Sequence, residues 1–63
     1  MWRLEYYRYG ILQEYEDEEL ADVLRFGVVQ SEEGNIAMYQ LIDPNGQIHM
    51  NMDELQEYWF SYY

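Results

Sequence analysis

The fold is decided by residues 36–50, which have the sequence IAMYQLIDPNGQIHM. The first seven of these residues are the most β-prone run in the chain. Asp43, Pro44 and Gly46 occupy the first, second and fourth positions of a type I turn, where each residue type is favoured. We therefore predict a strand over residues 36–42, a turn over 43–46 and an antiparallel return over 47–50.

A further strand is predicted on the N-terminal side of this hairpin, over residues 28–31. Residues 32–35, Glu-Glu-Gly-Asn, would connect it to residues 36–42 as a turn. The three predicted strands then follow one another as an antiparallel meander.

The N-terminal segment also has the period of a strand. Over residues 2–9 the side chains alternate, with Trp2, Leu4 and Tyr6 on one face. Gly10 then indicates a turn or a bulge. Residues 11–15 either fold back as a second strand or continue the first one, and we favour the hairpin.

Two segments have the apolar period of a helix, residues 17–26 and residues 52–61. In the first, Asp17 is the predicted N-cap and Gly27 the predicted C′ residue. Asn51 and Glu54 match a capping box that begins the second helix. The apolar stripes are Leu20, Val23 and Leu24 in the first helix, and Met52, Leu55, Trp59 and Tyr62 in the second.

These elements predict an α+β fold: a small antiparallel sheet, made of the three-stranded meander plus an N-terminal strand or hairpin, with two short helices packed on it. The chain of 63 residues is long enough for one compact domain, residues 1–63. It has no Cys, so no disulfide stabilises the core. Large rings are expected to fill the core instead, and the candidates are Trp2, Tyr6, Phe26, Tyr39 and Trp59.

The net charge is strongly negative. The chain has 13 Asp and Glu residues against 3 Arg and no Lys, for a formal charge of −10. This charge repels nucleic acid and anionic lipid and favours a basic partner. No apolar run has the length of a signal sequence or a membrane span. We therefore expect a cytoplasmic protein that contacts neither nucleic acid nor membrane directly.

Catalysis and metal binding are not predicted. Ser31 and Ser61 lack the context of a nucleophile, and His49 is expected to be an ordinary sheet residue. Asp43 to Glu54 has the length of a calcium-binding EF-hand loop, but glycine is fourth instead of sixth. We expect a protein that is not an enzyme, with no catalytic residue, no metal ligand and no cofactor.

The acidic residues are the strongest functional signal. Six of them fall within nine positions, residues 14–22. They are either a solvated face that keeps the protein soluble or a mimic of DNA phosphates. On a helix, Glu18 and Asp22 would lie about 5–6 Å apart, comparable to phosphates along one DNA strand. The predicted partner-binding residues are Glu14, Glu16, Asp17, Glu18, Glu19, Asp22, Glu32, Glu33, Asp53, Glu54 and Glu57.

Tyrosine is more abundant than a small core requires, with 8 residues. Exposed tyrosines are favoured in interfaces because they add contact area at low entropic cost. Four of them are candidates for either core packing or an interface between copies of the chain: Tyr7, Tyr9, Tyr62 and Tyr63. The chain is therefore expected to be a monomer or a homodimer.

The chain as a whole resembles the small acidic anti-defence proteins of bacteriophages, which include anti-CRISPR and anti-restriction inhibitors. The likeness lies in its size, acidity, lack of Cys, surplus of Tyr and lack of a catalytic set. Several members of that class mimic DNA. The resemblance implies stoichiometric inhibition, in the cytoplasm of a bacterial host, of a Cas effector, a restriction enzyme or a DNA-repair enzyme. The alternative is a small structural or adaptor protein that acts through exposed tyrosines and self-association.

Overall fold

A computed structural model of the chain describes residues 1–62, and the side chains of residues 1–61. The elements are β1 (Trp2–Arg8), β2 (Ile11–Asp17), α1 (Leu20–Glu32), β3 (Ala37–Ile42), β4 (Ile48–Met50) and α2 (Met52–Tyr62). The strands form one antiparallel sheet in the order β2-β1-β3-β4. The predicted α+β class, an antiparallel sheet with two helices, is confirmed.

The N-terminal segment is a hairpin, as favoured from the sequence. Tyr9 and Gly10 form its two-residue loop with φ angles of 54° and 77°, as a type I′ turn requires. Tyr9 therefore belongs to the loop and not to the strand predicted over residues 2–9. β2 continues to Asp17, which pairs with Trp2, so it extends beyond the predicted residues 11–15.

Helix α1 begins later than predicted. Asp17 is the last residue of β2 and not the N-cap. Its Oδ1 accepts a hydrogen bond of 2.9 Å from the backbone N–H of Glu19. Glu19 is the N-cap and makes no side-chain cap bond. Pairing with β1 thus outweighs the local tendency of Asp17 to begin a helix.

Helix α1 also ends later than predicted, because it runs through residues 28–31, where the predicted strand is wrong. The helix ends at Glu32, with Glu33 as its C-cap, and Gly34 follows with a φ of 78°. The N–H of Gly34 donates to the carbonyl of Ser31, and that of Asn35 donates to the carbonyl of Gln30, each at 3.0 Å. These two bonds define a Schellman motif, which satisfies the last carbonyls of the helix.

Gly27 lies inside this helix and is buried, instead of ending it. A Cβ atom at this position would stand 2.7 Å from Sδ of Met38 and 2.9 Å from Cδ2 of Leu4. The missing side chain therefore lets α1 lie close against β1 and β3. Val28 is buried next to it, and this burial outweighs the weak helix propensity of a β-branched residue.

The predicted meander is wrong, because β3 pairs with β1 and not with residues 28–31. β2 and β3 are both antiparallel to β1, so they run parallel to each other on its two sides. Helix α1 connects them across β1. The N-terminal strand is therefore one of the two inner strands of the sheet.

The C-terminal half follows the prediction closely. The N–H of Gly46 donates to the carbonyl of Asp43 at 3.0 Å, and β4 returns antiparallel to β3. Asn51 and Glu54 form the capping box of α2: the N–H of Glu54 donates to Oδ1 of Asn51 at 2.9 Å, and the N–H of Asn51 donates to Oε1 of Glu54 at 3.1 Å.

The core lies between the helices and one face of the sheet. Val23 of α1 and Leu55 of α2 belong to one buried cluster with Leu4 of β1 and Leu41 of β3. Of the predicted core rings Tyr6 is buried, while the half-buried ones are Trp2, Phe26, Tyr39 and Trp59. The core cluster contains residues of both helices and lies on this face. We call the opposite face of the sheet the open face.

Candidate partner-binding surface

Six of the predicted partner-binding residues lie together where β2 leads into α1. The second half of β2 carries three of them, the connection carries two, and the first turn of α1 carries one. We call this group the acidic corner; it consists of Glu14, Glu16, Asp17, Glu18, Glu19 and Asp22. Four of the six are exposed, and Asp17 and Asp22 are half-buried.

Three residues of the acidic corner already have partners within the chain. Glu14 lies 3.3 Å from Nε of Arg3, and Asp22 lies 3.9 Å from Arg25 on the same helix. Asp17 accepts hydrogen bonds from the N–H of Glu19 at 2.9 Å and from the Tyr15 hydroxyl at 3.5 Å. Within residues 1–61 the other three carboxylates have no polar side-chain partner: Glu16, Glu18 and Glu19.

The spacing predicted for phosphate mimicry is wrong for Glu18 and Asp22. Glu18 precedes the helix, so the two residues do not lie one helical turn apart. The strand sets the spacing instead. Glu14 and Glu16 are on the same face of β2, and two residues of a strand span about 6.6–6.8 Å.

The other five predicted acids lie away from the acidic corner. Glu32 and Glu33 are at the far end of α1, whose 13 residues span about 20 Å. Asp53, Glu54 and Glu57 are on α2. Glu33 accepts a hydrogen bond from Nδ2 of Asn35, and Glu54 belongs to the capping box. The eleven predicted residues therefore do not form a single group, and the six of the acidic corner are the ones that lie on consecutive elements.

The predicted tyrosine interface is only partly described. Tyr7 packs edge-on against Tyr39 with ring centroids 5.6 Å apart, and Tyr9 is 94% exposed in the hairpin loop. The side chain of Tyr62 and all of Tyr63 lie outside the described residues.

Two apolar residues outside the predicted sites lie next to these tyrosines. Ile11 is 62% exposed and Leu12 is 48% exposed, and Leu12 pairs with Tyr7 across the hairpin. We call Tyr7, Tyr9, Ile11 and Leu12 the hairpin tip. The Tyr9-Gly10 sequence between two predicted strands could have identified this patch, because residues at a hairpin loop are usually exposed.

Glu5 is another acidic residue that lies outside the predicted sites. It pairs directly with Glu14 across the hairpin, on the open face. Like charges at such positions destabilise a sheet. Here Gln40 donates a hydrogen bond to Glu5, and Arg3 lies against Glu14. The register of β1 with its two neighbouring strands places Gln40 and Arg3 beside these two acids on the open face. This register cannot be predicted from the sequence.

A depression of about 400 Å³ adjoins the acidic corner, between β2 and α1. Its walls include Tyr15 and Phe26, whose rings stack at 4.1 Å. His49 is remote from it in β4, where its ring packs edge-on against Trp2 at 4.9 Å. Among the described residues no group of three or more His, Asp and Glu side chains is placed to hold a metal ion.

The chain matches no protein-family model, no curated protein and no solved structure. None of the helices within residues 1–62 combines the length and the apolar character needed to cross a bilayer. A functional proposal therefore rests on the surface itself.

Proposed function

We propose that the protein is a non-enzymatic inhibitor that binds a basic, nucleic-acid-binding protein through the acidic corner. The observation that carries this proposal is the group of three exposed carboxylates without a polar side-chain partner, Glu16, Glu18 and Glu19, beside the other three acids. Repulsion within such a group disfavours the compact state. Lys and Arg side chains of a partner would remove that repulsion.

The acidic corner would occupy a surface that otherwise holds the phosphate backbone. Binding there releases the anions that surround a cationic groove, so affinity falls steeply as salt rises, as for protein–DNA complexes. The targets of this kind are Cas effectors, restriction enzymes and DNA-repair enzymes. Inhibition would be competitive with DNA, and the host bacterial cytoplasm is the setting that the phage-like character suggests.

The test compares two variants that remove the same amount of charge. E16Q/E18Q/E19Q neutralises the unpaired acids of the acidic corner. E32Q/D53N/E57Q neutralises three exposed acids elsewhere. Wild-type and variant proteins are immobilised and exposed to bacterial lysate, and the retained proteins are identified and their affinities measured. We expect the first variant to lose at least about tenfold in affinity and the second to change by less than about twofold.

Duplex DNA and salt provide the second readout of this experiment. Added duplex DNA should displace the captured protein, and affinity should fall by an order of magnitude or more between low and moderate salt. Equal losses in the two variants would show that only net charge matters. Retention that DNA cannot displace would contradict the DNA-competitive mechanism.

The hairpin tip favours a second candidate function, a structural or adaptor protein that self-associates. Exposed apolar residues that lie together are typical of protein interfaces. For this candidate, Y9S/L12S should convert a dimer to a monomer in sedimentation equilibrium, with little dependence on salt because the contact is apolar. I48S, at an exposed apolar residue of β4, is the matched control and should leave the dimer intact. A wild-type protein that is monomeric at high micromolar concentration would exclude this function.

A further inference from the structure

The two edges of the sheet differ in what they can bind. β4 has three residues, and its register with β3 shifts between Leu41 and Ile42. β2 has seven residues in unbroken register with β1. Within the described part of the chain no strand pairs with the outer side of β2. A long, regular and unpaired edge is a template on which another strand can form main-chain hydrogen bonds.

The hairpin loop fixes which backbone groups of β2 point outward. A two-residue type I′ loop is closed by a hydrogen-bonded pair, here Arg8 and Ile11. Hydrogen-bonded and non-hydrogen-bonded pairs then alternate along the hairpin. Leu12, Glu14 and Glu16 are therefore in non-hydrogen-bonded pairs with β1. Their N–H and C=O groups point away from β1, toward an added strand.

The side chains of these same three residues lie on the open face, because they pair with Tyr7, Glu5 and Arg3. We propose that the outer edge of β2 binds an extended segment of the partner with the order basic–x–basic–x–apolar, antiparallel to β2. The two basic residues would stand opposite Glu16 and Glu14, and the apolar one opposite Leu12. This proposal rests on the proposed function and specifies the chemistry of the partner.

A second copy of the chain fits this edge poorly. Full antiparallel overlap of β2 with β2 would place Glu14 directly opposite Glu14 of the second copy and diagonal to its Glu16. Like charges across paired strands are destabilising. Charge complementarity therefore selects a basic strand over a copy of this one. Charged side chains on an edge strand can also serve to prevent pairing with other strands. If this is the only role of the acids on β2, no peptide should bind.

The probe is a short acetylated and amidated peptide with the core Lys-Thr-Lys-Thr-Val, titrated into the full chain at low salt. Its control is a peptide of the same composition with the core Lys-Lys-Thr-Thr-Val. We expect the alternating peptide to bind about tenfold more tightly. When it pairs with β2, both of its lysine side chains lie on the open face and both lysine N–H groups point at β2. In the control peptide the two lysines are adjacent, so only one of them can do so.

Two N-methylated peptides test the hydrogen bonds without altering the protein. Methylation of the two lysine N–H groups should remove the tenfold advantage, since these groups point at Glu14 and Glu16. Methylation of the two threonine N–H groups, which point away, should change affinity by less than about twofold. On the protein side, Glu14→Pro should also lose the advantage. It removes an N–H that β1 does not use, so the hairpin is retained.

Three results would contradict the proposed binding of a basic segment to the edge of β2. The first two do not contradict the proposed inhibitory function, which the lysate experiment tests. Equal affinity for the alternating and control peptides would mean that the acids attract a basic chain without strand pairing, and the proposed function would stand. If no peptide binds, the acids only protect the edge, and the lysate comparison alone decides the function. A wild-type dimer that Glu14→Pro dissociates would make a second copy the occupant.

Discussion

Replacing Leu4 with alanine is expected to lower the free energy of unfolding by about 2–5 kcal/mol, the range for a buried leucine. Leu4 is fully buried on β1, one of the two inner strands, where it pairs with Leu41 of β3. It also lies under α1, since a Cβ atom on Gly27 would stand 2.9 Å from its Cδ2. A cavity at this point would weaken contacts in both layers. With 63 residues the whole domain has only about 3–9 kcal/mol of stability.

The measurement is urea denaturation followed by tryptophan fluorescence. Leu12→Ala is the matched control, because Leu12 belongs to the neighbouring strand and is 48% exposed. We expect this control to cost less than about 1 kcal/mol, since half of the side chain is in water already. If the two substitutions cost the same, Leu4 is not the centre of the core.

The parts of the fold that could be predicted are those in which the signal and its partner are close in sequence. Asp43 accepts hydrogen bonds from the N–H groups of Asn45 and Gln47, so the turn is specified within five residues. The capping box between Asn51 and Glu54 is equally local. The return strand and the second helix follow directly from these two features.

The parts that were missed depend on residues far apart in the chain. Gly27 looked like the end of a helix, but the closest atoms to a Cβ there belong to Leu4 and Met38. The predicted meander was wrong for the same reason, since β3 pairs with β1, which lies about 35 residues earlier in the chain. No local sequence pattern predicts the pairing of β3 with β1. A glycine buried inside a helix also cannot be distinguished in the sequence from a glycine that ends a helix.

The candidate site shows the same division between local and long-range information. The acids of residues 14–22 are conspicuous in the sequence, and the structure distributes them over the end of β2, the connection and the first turn of α1. Their individual roles were not predictable, because Arg3 approaches Glu14 only through the register of the hairpin. The continuation of β2 to Asp17 likewise moved Glu18 out of the helix. The exposed edge of β2, on which the proposed peptide site depends, is a property of the strand order alone.

Replacing Gly27 with valine is expected to lower the free energy of unfolding by about 2–3 kcal/mol, at the upper end of the cost of overpacking. Even a Cβ atom would stand 2.7 Å from Sδ of Met38, and valine adds two methyl groups beyond it. Met38 is flexible and could yield to alanine, whose better helix propensity offsets part of the strain. Valine is stiff at χ1 and cannot turn both methyl groups away from the sheet. Helix α1 must therefore move outward or lose its contact with β1.

Two comparisons separate this contact from a general effect of valine in a helix. Ala21→Val places the same side chain at an exposed position of α1, where only a few tenths of a kcal/mol are expected. Met38→Ala in the Gly27→Val protein should be less destabilising than the sum of the single changes by more than about 1 kcal/mol, because the smaller side chain makes room for the valine. Additive losses would instead mean that Gly27 is needed for the helix itself, and the close packing of α1 on β3 would not be the reason for a glycine at this position.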